Sequence, residues 1–437
     1  MLEKLQPFVD QQLARIVQQD EIQFIYDISG ELVGEIHMEE GLLQRIDFYN
    51  VDALMEQGVP LTNSAMMDAI VRPNHALFEI EKKEISTIAW RIKEALDDRD
   101  LKLDVIVDFD ANYLAIFEEV EPRYRLALPN SGLQLSIKRD GTLASATFMH
   151  EHYTVQYPET MISPEEAKAI LLQQPLMQLA IHMENAWHYV YVPAYDVYGV
   201  GVDGHVKKMS EWPEMIGFGY DVLPEVHIDE PLEILLLGGR QGNVEYTEQE
   251  AEGYWDIIVE EEVAQCVVEQ PLIRACQALK YAVGEAYEKY RFERTPNTDS
   301  VYRYAPFCLD EVENESTTYR FVYEHQGVYL SEKASEIVVH NETGHIQSMV
   351  ISTIPYEQLN ALPKPMITLE EANATAKQYV DVALTVERAD LERNVYTLMY
   401  SVDYPHSPTG GHIESINAYT GTITYVETGF VSIDEES

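Results

Sequence analysis

The chain has 437 residues, 46% of them hydrophobic and including 28 Tyr, 12 Phe and 4 Trp, which is too long for one ordinary core and too apolar to remain disordered. Its 75 acidic residues against 30 basic ones give a formal charge of −45, so nucleic-acid phosphates and anionic lipid surfaces repel it and are poor partners. Cys266, Cys276 and Cys308 lack C-x-x-C spacing and are expected as reduced, buried thiols.

The amino-terminal segment MLEKLQPFVDQQLARIVQQDE carries charges throughout, without the continuous apolar run of an export signal. No uncharged apolar stretch of about 18 residues follows, so no membrane span is expected and the expected location is cytoplasmic. A first helix is predicted near Leu2–Gln19, then β-like runs IQFIYDI and GEIHMEEGLLQRIDFYN about a Glu40-Gly41 turn. A second helix is predicted over Lys82–Leu96, where Ile85, Ile88, Ala89, Ile92 and Leu96 form one apolar stripe. Together these make an N-terminal α/β extension, residues 1–105, read as a β cap or as a degenerate copy of the unit described below.

Asp108-x-Asp110-x-Asn112, with Glu119 at the twelfth position, has the oxygen-donor spacing of an EF-hand calcium loop. Tyr113 stands where that loop needs glycine, and the flanking DVIVDF and YLAIF look like strands, which favours an acidic strand end. His150 and His152 in MHEHY can present two imidazoles on one face of an extended chain, a partial zinc pattern that lacks an identifiable third ligand.

An internal repeat is visible. MISPEEAKA, from Met161, matches MITLEEANA, from Met366, at six of nine positions. Ser163 or Thr368 serves as N-cap and Glu166 or Glu371 closes a capping box, so each segment opens a helix. Each is preceded by a two-strand pattern, LQLSIKRDGTLASATF with its Asp140-Gly141 turn and SEIVVHNETGHIQSMVI with Thr343-Gly344. Each is followed by β-rich runs that turn at Asp203-Gly204 and Thr420-Gly421. Between the copies, His227–Glu262 is acidic and contains GGRQG after the apolar LEILLL, and reads as a connector with a turn after a buried strand. Helices are predicted near Val263–Arg291.

The order of hairpin, I-[ST]-x-E-E-A helix start and final strand pair resembles the YcdB/YcdC repeat, a relative of the PepSY domain. The resemblance covers roughly 112–209 and 317–426 and implies tandem PepSY-like units, each an antiparallel sheet packed by a helix. It also implies a regulatory role toward peptidases. The expected fold class is therefore α+β, with a first unit at 106–222, an acidic connector with helices at 223–300 and a second unit at 301–437.

No catalytic signature is present and no cofactor is expected. Tyr189, Tyr191, Tyr195 and Tyr198, with Tyr396, Tyr400 and Tyr404, recur in both copies and are the candidate binding residues, against ordinary strand packing. The expected function is a non-catalytic protein- or peptide-binding module with a basic partner. The alternatives are a metal-assisted hydrolase using His150 and His152, and a passive structural protein.

Overall fold

The computed structural model describes residues 1–49, 81–109, 111–150, 152–184, 186–194, 196–211, 219–229, 231–238, 240–249, 252–259, 271–294, 316–341, 344–390 and 394–431. The chain is α+β, dominated by antiparallel sheets with few helices.

The first eight-stranded sheet consists of two meanders. Helix α1 (Leu2–Leu5) precedes β1 (Leu13–Gln19), β2 (Ile22–Asp27), β3 (Leu32–Glu39) and β4 (Leu42–Phe48). Helix α2 (Ile85–Leu96) precedes β5 (Leu101–Phe109), β6 (Asn112–Glu119), β7 (Gly132–Lys138) and β8 (Leu143–Met149). The meanders join through their last strands, β4 against β8. The helix predicted over Leu2–Gln19 stops at Leu5. Pro7 falls in a short 3-10 turn, the chain is extended by Val9, and β1 pairs with β2 across a turn in which Asp20 has φ 56°. Helix α2 matches its apolar stripe: Ile85, Ala89 and Ile92 are fully buried against Ile106, Tyr113 and Phe117 of the sheet. Burying each isoleucine is worth about 1.5–3 kcal/mol. Strand β5 passes through the 105/106 boundary expected from sequence, and the hairpin at 133–148 pairs with the N-terminal strands.

There follow β9 (Thr154–Gln156), α3 (Pro164–Leu171), β10 (Met177–Met183), β11 (Trp187–Pro193), β12 (Val197–Gly201) and β13 (Val206–Lys208). A second eight-stranded sheet then contains β14 (Gly219–Val222), β15 (Gly242–Gln249), β16 (Glu252–Val259), β17 (Tyr290–Arg294), β18 (Ser316–His325), β19 (Val328–Tyr329), β20 (Ser335–His340) and β21 (Ile346–Ser352). Two helices pack on it, α4 (Leu232–Leu237) and α5 (Pro271–Val283). The segment expected as a connector thus supplies the outer hairpin of a sheet. LEILLL, expected as a buried strand, is helical: Pro231 caps its start, Gly238 at φ 58° ends it, and Leu235 and Leu236 are buried. A six-residue run that is apolar at every position but Glu233 is too short to show a period by which strand and helix can be told apart.

The chain closes with α6 (Tyr356–Asn360), α7 (Leu369–Ala376), β22 (Asp381–Asp390), β23 (Val395–Asp403), β24 (Gly410–Asn417) and β25 (Ile423–Glu427). Both expected capping boxes form: the Ser163 and Thr368 hydroxyls accept from the Glu166 and Glu371 N–H groups, and both glutamates accept in return. The expectation of one sheet per copy needs correction. Hairpin β10–β11 pairs with β24–β25, and β12–β13 pairs with β22–β23, whose β23 also takes β9 as a parallel neighbour, so each of these sheets is built from strands of both copies. Tyr191 lies opposite Ile416, and Tyr400 opposite Val200. The exchange is reciprocal in its hydrogen bonds too: the Tyr191 hydroxyl donates to the Ile367 carbonyl at 2.5 Å, and that of Tyr400 donates to the Ile162 carbonyl at 2.8 Å. Helix α3 covers the β12/β22 sheet and α7 the β10 side of the other.

After β25, residues 429–431 lie along the free edge of β5. The Asp108 N–H donates to the Gly429 carbonyl at 2.8 Å, and the Val431 N–H to the Ile106 carbonyl at 2.9 Å. The first sheet therefore accepts an added strand from the far end of the chain.

Asn373 of α7 accepts from the Leu176 and Met177 N–H groups at 2.7 and 3.1 Å, fastening one copy's helix to the other's first strand. Asn373→Ala leaves two donors without that acceptor and is expected to cost about 1–3 kcal/mol. Urea unfolding followed by circular dichroism and tryptophan fluorescence is expected to show one coincident, shifted transition. Two separate transitions would contradict the exchange of hairpins.

Candidate functional site

The recurring tyrosines turn inward. Tyr189, Tyr191, Tyr396 and Tyr400 are all buried at 5% exposure or less. The hydroxyls of Tyr396 and Tyr198 donate to the Pro129 carbonyl at 2.8 Å and to Glu387 Oε1 at 2.5 Å. Tyr404 is half-buried, its ring 6.3 Å from that of His412. These rings pack the exchanged sheets and their surroundings instead of lining an open groove; Tyr195 lies outside the described residues.

The calcium-like spacing is corrected by strand register. Asp108 pairs with Tyr113 near the turn of the β5–β6 hairpin, while Glu119 pairs with Leu101 at its far end. At about 3.3 Å per residue the two carboxylates stand roughly 20 Å apart along the strand and cannot share an ion. Asp108 instead contacts Lys82 and Arg139, each at 2.5 Å, which hold its carboxyl below the usual range against the opposing effect of burial. Glu119 meets Arg99 at 3.3 Å and accepts from the Tyr153 hydroxyl. Asn112 faces Phe109, and Asp110 lies outside the described residues. The His150 ring nitrogen Nε2 contacts the Leu43 carbonyl at 2.7 Å, and His152 is exposed. Among the described residues neither histidine joins a group of metal-ligating side chains.

A different constellation forms on the outer face of the first sheet, opposite α2. Side chains alternate along a strand, so Ile36, Ile46 and Phe48 point to the core while Glu35, His37, Arg45 and Asp47 share the other face. Register places Glu35 opposite Asp47 and His37 opposite Arg45, with Ser145 and Thr147 of β8 continuing the two rows. His37 Nε2 lies 2.7 Å from Glu35 Oε1. Arg45 Nε donates to both Asp47 oxygens at 3.0 and 2.7 Å. Asp47 is 2% exposed. Its carboxyl is pushed up by burial, which Arg45 only partly offsets, whereas the bond to His37 draws Glu35 down and the His37 imidazole up. Tyr49 is equally buried, its hydroxyl beside Glu35 and interacting with that carboxylate without a well-formed hydrogen bond. The signal for this cluster was present in GEIHMEEGLLQRIDFYN: folding it about Glu40-Gly41 brings the alternating polar positions of its two arms together.

A second feature is the outer edge of the second eight-stranded sheet. Strand β15 ends that sheet and is exposed from Glu245 to Gln249. Glu245 sits directly opposite Asp256 of β16, both exposed, and neither forms an ion pair among the described residues. Like charges placed opposite each other across strands repel. On the other face, Tyr246 is 54% exposed, with its ring centroid 4.7 Å from that of Trp255.

Glu118 of β6 is buried on the outer face of the first sheet. Its carboxyl is pushed up to about 7 by burial, with nearby Asp104 adding to the rise. A folded-state value above the unfolded one means that the native state binds the extra proton, so this group's contribution to stability grows as pH falls from above 7 toward 4.5. Glu118→Gln is expected to raise stability at pH 8 and to flatten the stability–pH curve across that window, by an amount on the order of 3 kcal/mol. Urea midpoints at pH 5, 7 and 8 check this; unchanged pH dependence in the variant would contradict it.

No family model matches the chain, and no curated protein matches it. Among solved structures it is similar to the Bacillus megaterium YpeB C-terminal domain, at 14% identity over 47% of this chain and 91% of that one. The TM-score is 0.29, a level at which neither fold nor activity carries over.

Proposed function

We propose that the chain is a non-catalytic, PepSY-like binding module that takes up an extended basic segment of a partner protein as an added strand along β15. The observation that carries this reading is the facing pair Glu245 and Asp256 on an exposed sheet edge. An outer strand offers unpaired backbone donors and acceptors to an incoming chain. Its acidic side chains, on a chain of charge −45, repel a second copy of itself and favour a lysine- or arginine-bearing segment. The exposed Tyr246 face, backed by Trp255, adds a surface over which a cation can sit.

Strand addition is within the fold's repertoire, as residues 429–431 already lie along β5. The resemblance of the repeated helix starts to YcdB/YcdC repeats fits a regulatory role, with the partner a peptidase or another basic protein. No helix among the described residues is long and apolar enough to cross a membrane.

Titration of an eight-residue Lys/Val-alternating peptide, followed by anisotropy, is expected to give saturable binding that weakens as salt rises from about 50 to about 300 mM, which shortens the Debye length about 2.5-fold. Glu245→Lys is expected to weaken binding about tenfold, a loss of about 1.4 kcal/mol. Glu245→Gln is expected to weaken binding less while raising stability by about 0.2–1 kcal/mol, because it removes the repulsion across the strand pair. Salt-independent binding, or affinity unchanged in Glu245→Lys, would sink the proposal.

A further inference from the structure

We infer that Glu35, His37 and Asp47 form a site for one divalent cation of the zinc class on the outer face of the first sheet. The carboxylate and imidazole donor atoms of the three residues all lie within 4.8 Å of one another. Donors held about 2.0–2.2 Å from a tetrahedral ion stand about 3.3–3.6 Å apart, so the three can close on an ion with small rotamer adjustments. Backbone pairing fixes their relative positions. Glu35 and His37 are alternate residues of one strand, and Asp47 lies directly across from Glu35. An imidazole among the donors favours zinc-class ions over magnesium or calcium, which prefer all-oxygen sets. Three protein donors leave a fourth position for water.

Two neighbouring groups bear on the site independently. The Tyr49 hydroxyl, on a side chain only 2% exposed, stands beside Glu35 and interacts with its carboxylate without a well-formed hydrogen bond. A carboxylate oxygen turned by metal ligation, or a metal-bound water, would give that buried hydroxyl a better-formed hydrogen bond. Arg45 covers both oxygens of Asp47 and supplies the positive charge that a cation would otherwise provide. Its side chain is 29% exposed, so it can swing into solvent when an ion takes its place. The site is thus a contest between a guanidinium and a metal ion for one buried carboxylate. His37 must lose its proton to ligate, so binding releases a proton whenever the imidazole starts charged.

The contest supplies a test that a purely structural charge network would fail. Metal-free protein is titrated with Co2+ alone, and visible ligand-field absorption is followed to its stoichiometry, then bleached with Zn2+. Wild type is expected to bind one equivalent, and Arg45→Ala to bind at least tenfold more tightly because the competitor is gone. His37→Ala is expected to lose the absorption, with His37→Gln as a second variant that preserves side-chain volume and polarity. His205→Ala, which alters the exposed His205–Glu211 pair, is expected to leave it unchanged. Absorption that survives in both His37 variants would overturn the assignment, as would its absence in both wild type and Arg45→Ala.

Discussion

Two short antiparallel ladders, residues 190–191 against 416–417 and 199–201 against 399–401, are the contacts on which the arrangement of this chain depends. Each helix-plus-four-strand copy ends as two hairpins that separate, and each hairpin finds its neighbour in the other copy. Neither copy retains a complete sheet of its own. The buried tyrosines Tyr191 and Tyr400 stand on these ladders and donate to carbonyls at the start of the opposite copy's repeated segment, residues 367 and 162. The cost of breaking either ladder is therefore felt in both copies, although more than 200 residues separate them in sequence.

This exchange also places the larger sheets. The chain leaves the first eight-stranded sheet to enter one copy, builds the second eight-stranded sheet, and returns through the other copy. Residues 429–431 then come back to the edge of β5, beside Asp108. Helices cover one face of the first sheet, and its opposite face carries polar rows that include the half-buried Glu35, His37 and Arg45 and the buried Asp47. On the second sheet the unneutralised acids are at the outer hairpin. Charge that serves solubility over most of the surface becomes selective where two carboxylates face each other at a strand edge with an unpaired backbone.

Local chemistry made some of this legible in the sequence. Ser163 with Glu166, and Thr368 with Glu371, satisfy the first turn of a helix from within four residues, so both helix starts could be read directly. The stripe from Ile85 to Leu96 needed only the helical period. LEILLL is too short and too apolar to show a period, and the segment after Pro7 departs from the predicted helix because pairing of β1 with β2 prevails over the local helical pattern. The EF-hand spacing failed for the opposite reason: its residues occupy a hairpin, where twelve positions place the ends far apart. Which hairpin pairs with which is a non-local choice that repeat similarity does not encode. The Glu35–His37–Asp47 cluster depends on hairpin register, including an irregularity between His37 and Met38.

Hydrogen–deuterium exchange with and without the basic peptide tests strand addition at β15 most directly, since a new ladder must slow the exchange of amides that face outward. The account predicts protection concentrated within residues 242–249, with the exchanged sheets unchanged. Protection absent from that strand, or appearing instead along another sheet edge, would contradict it.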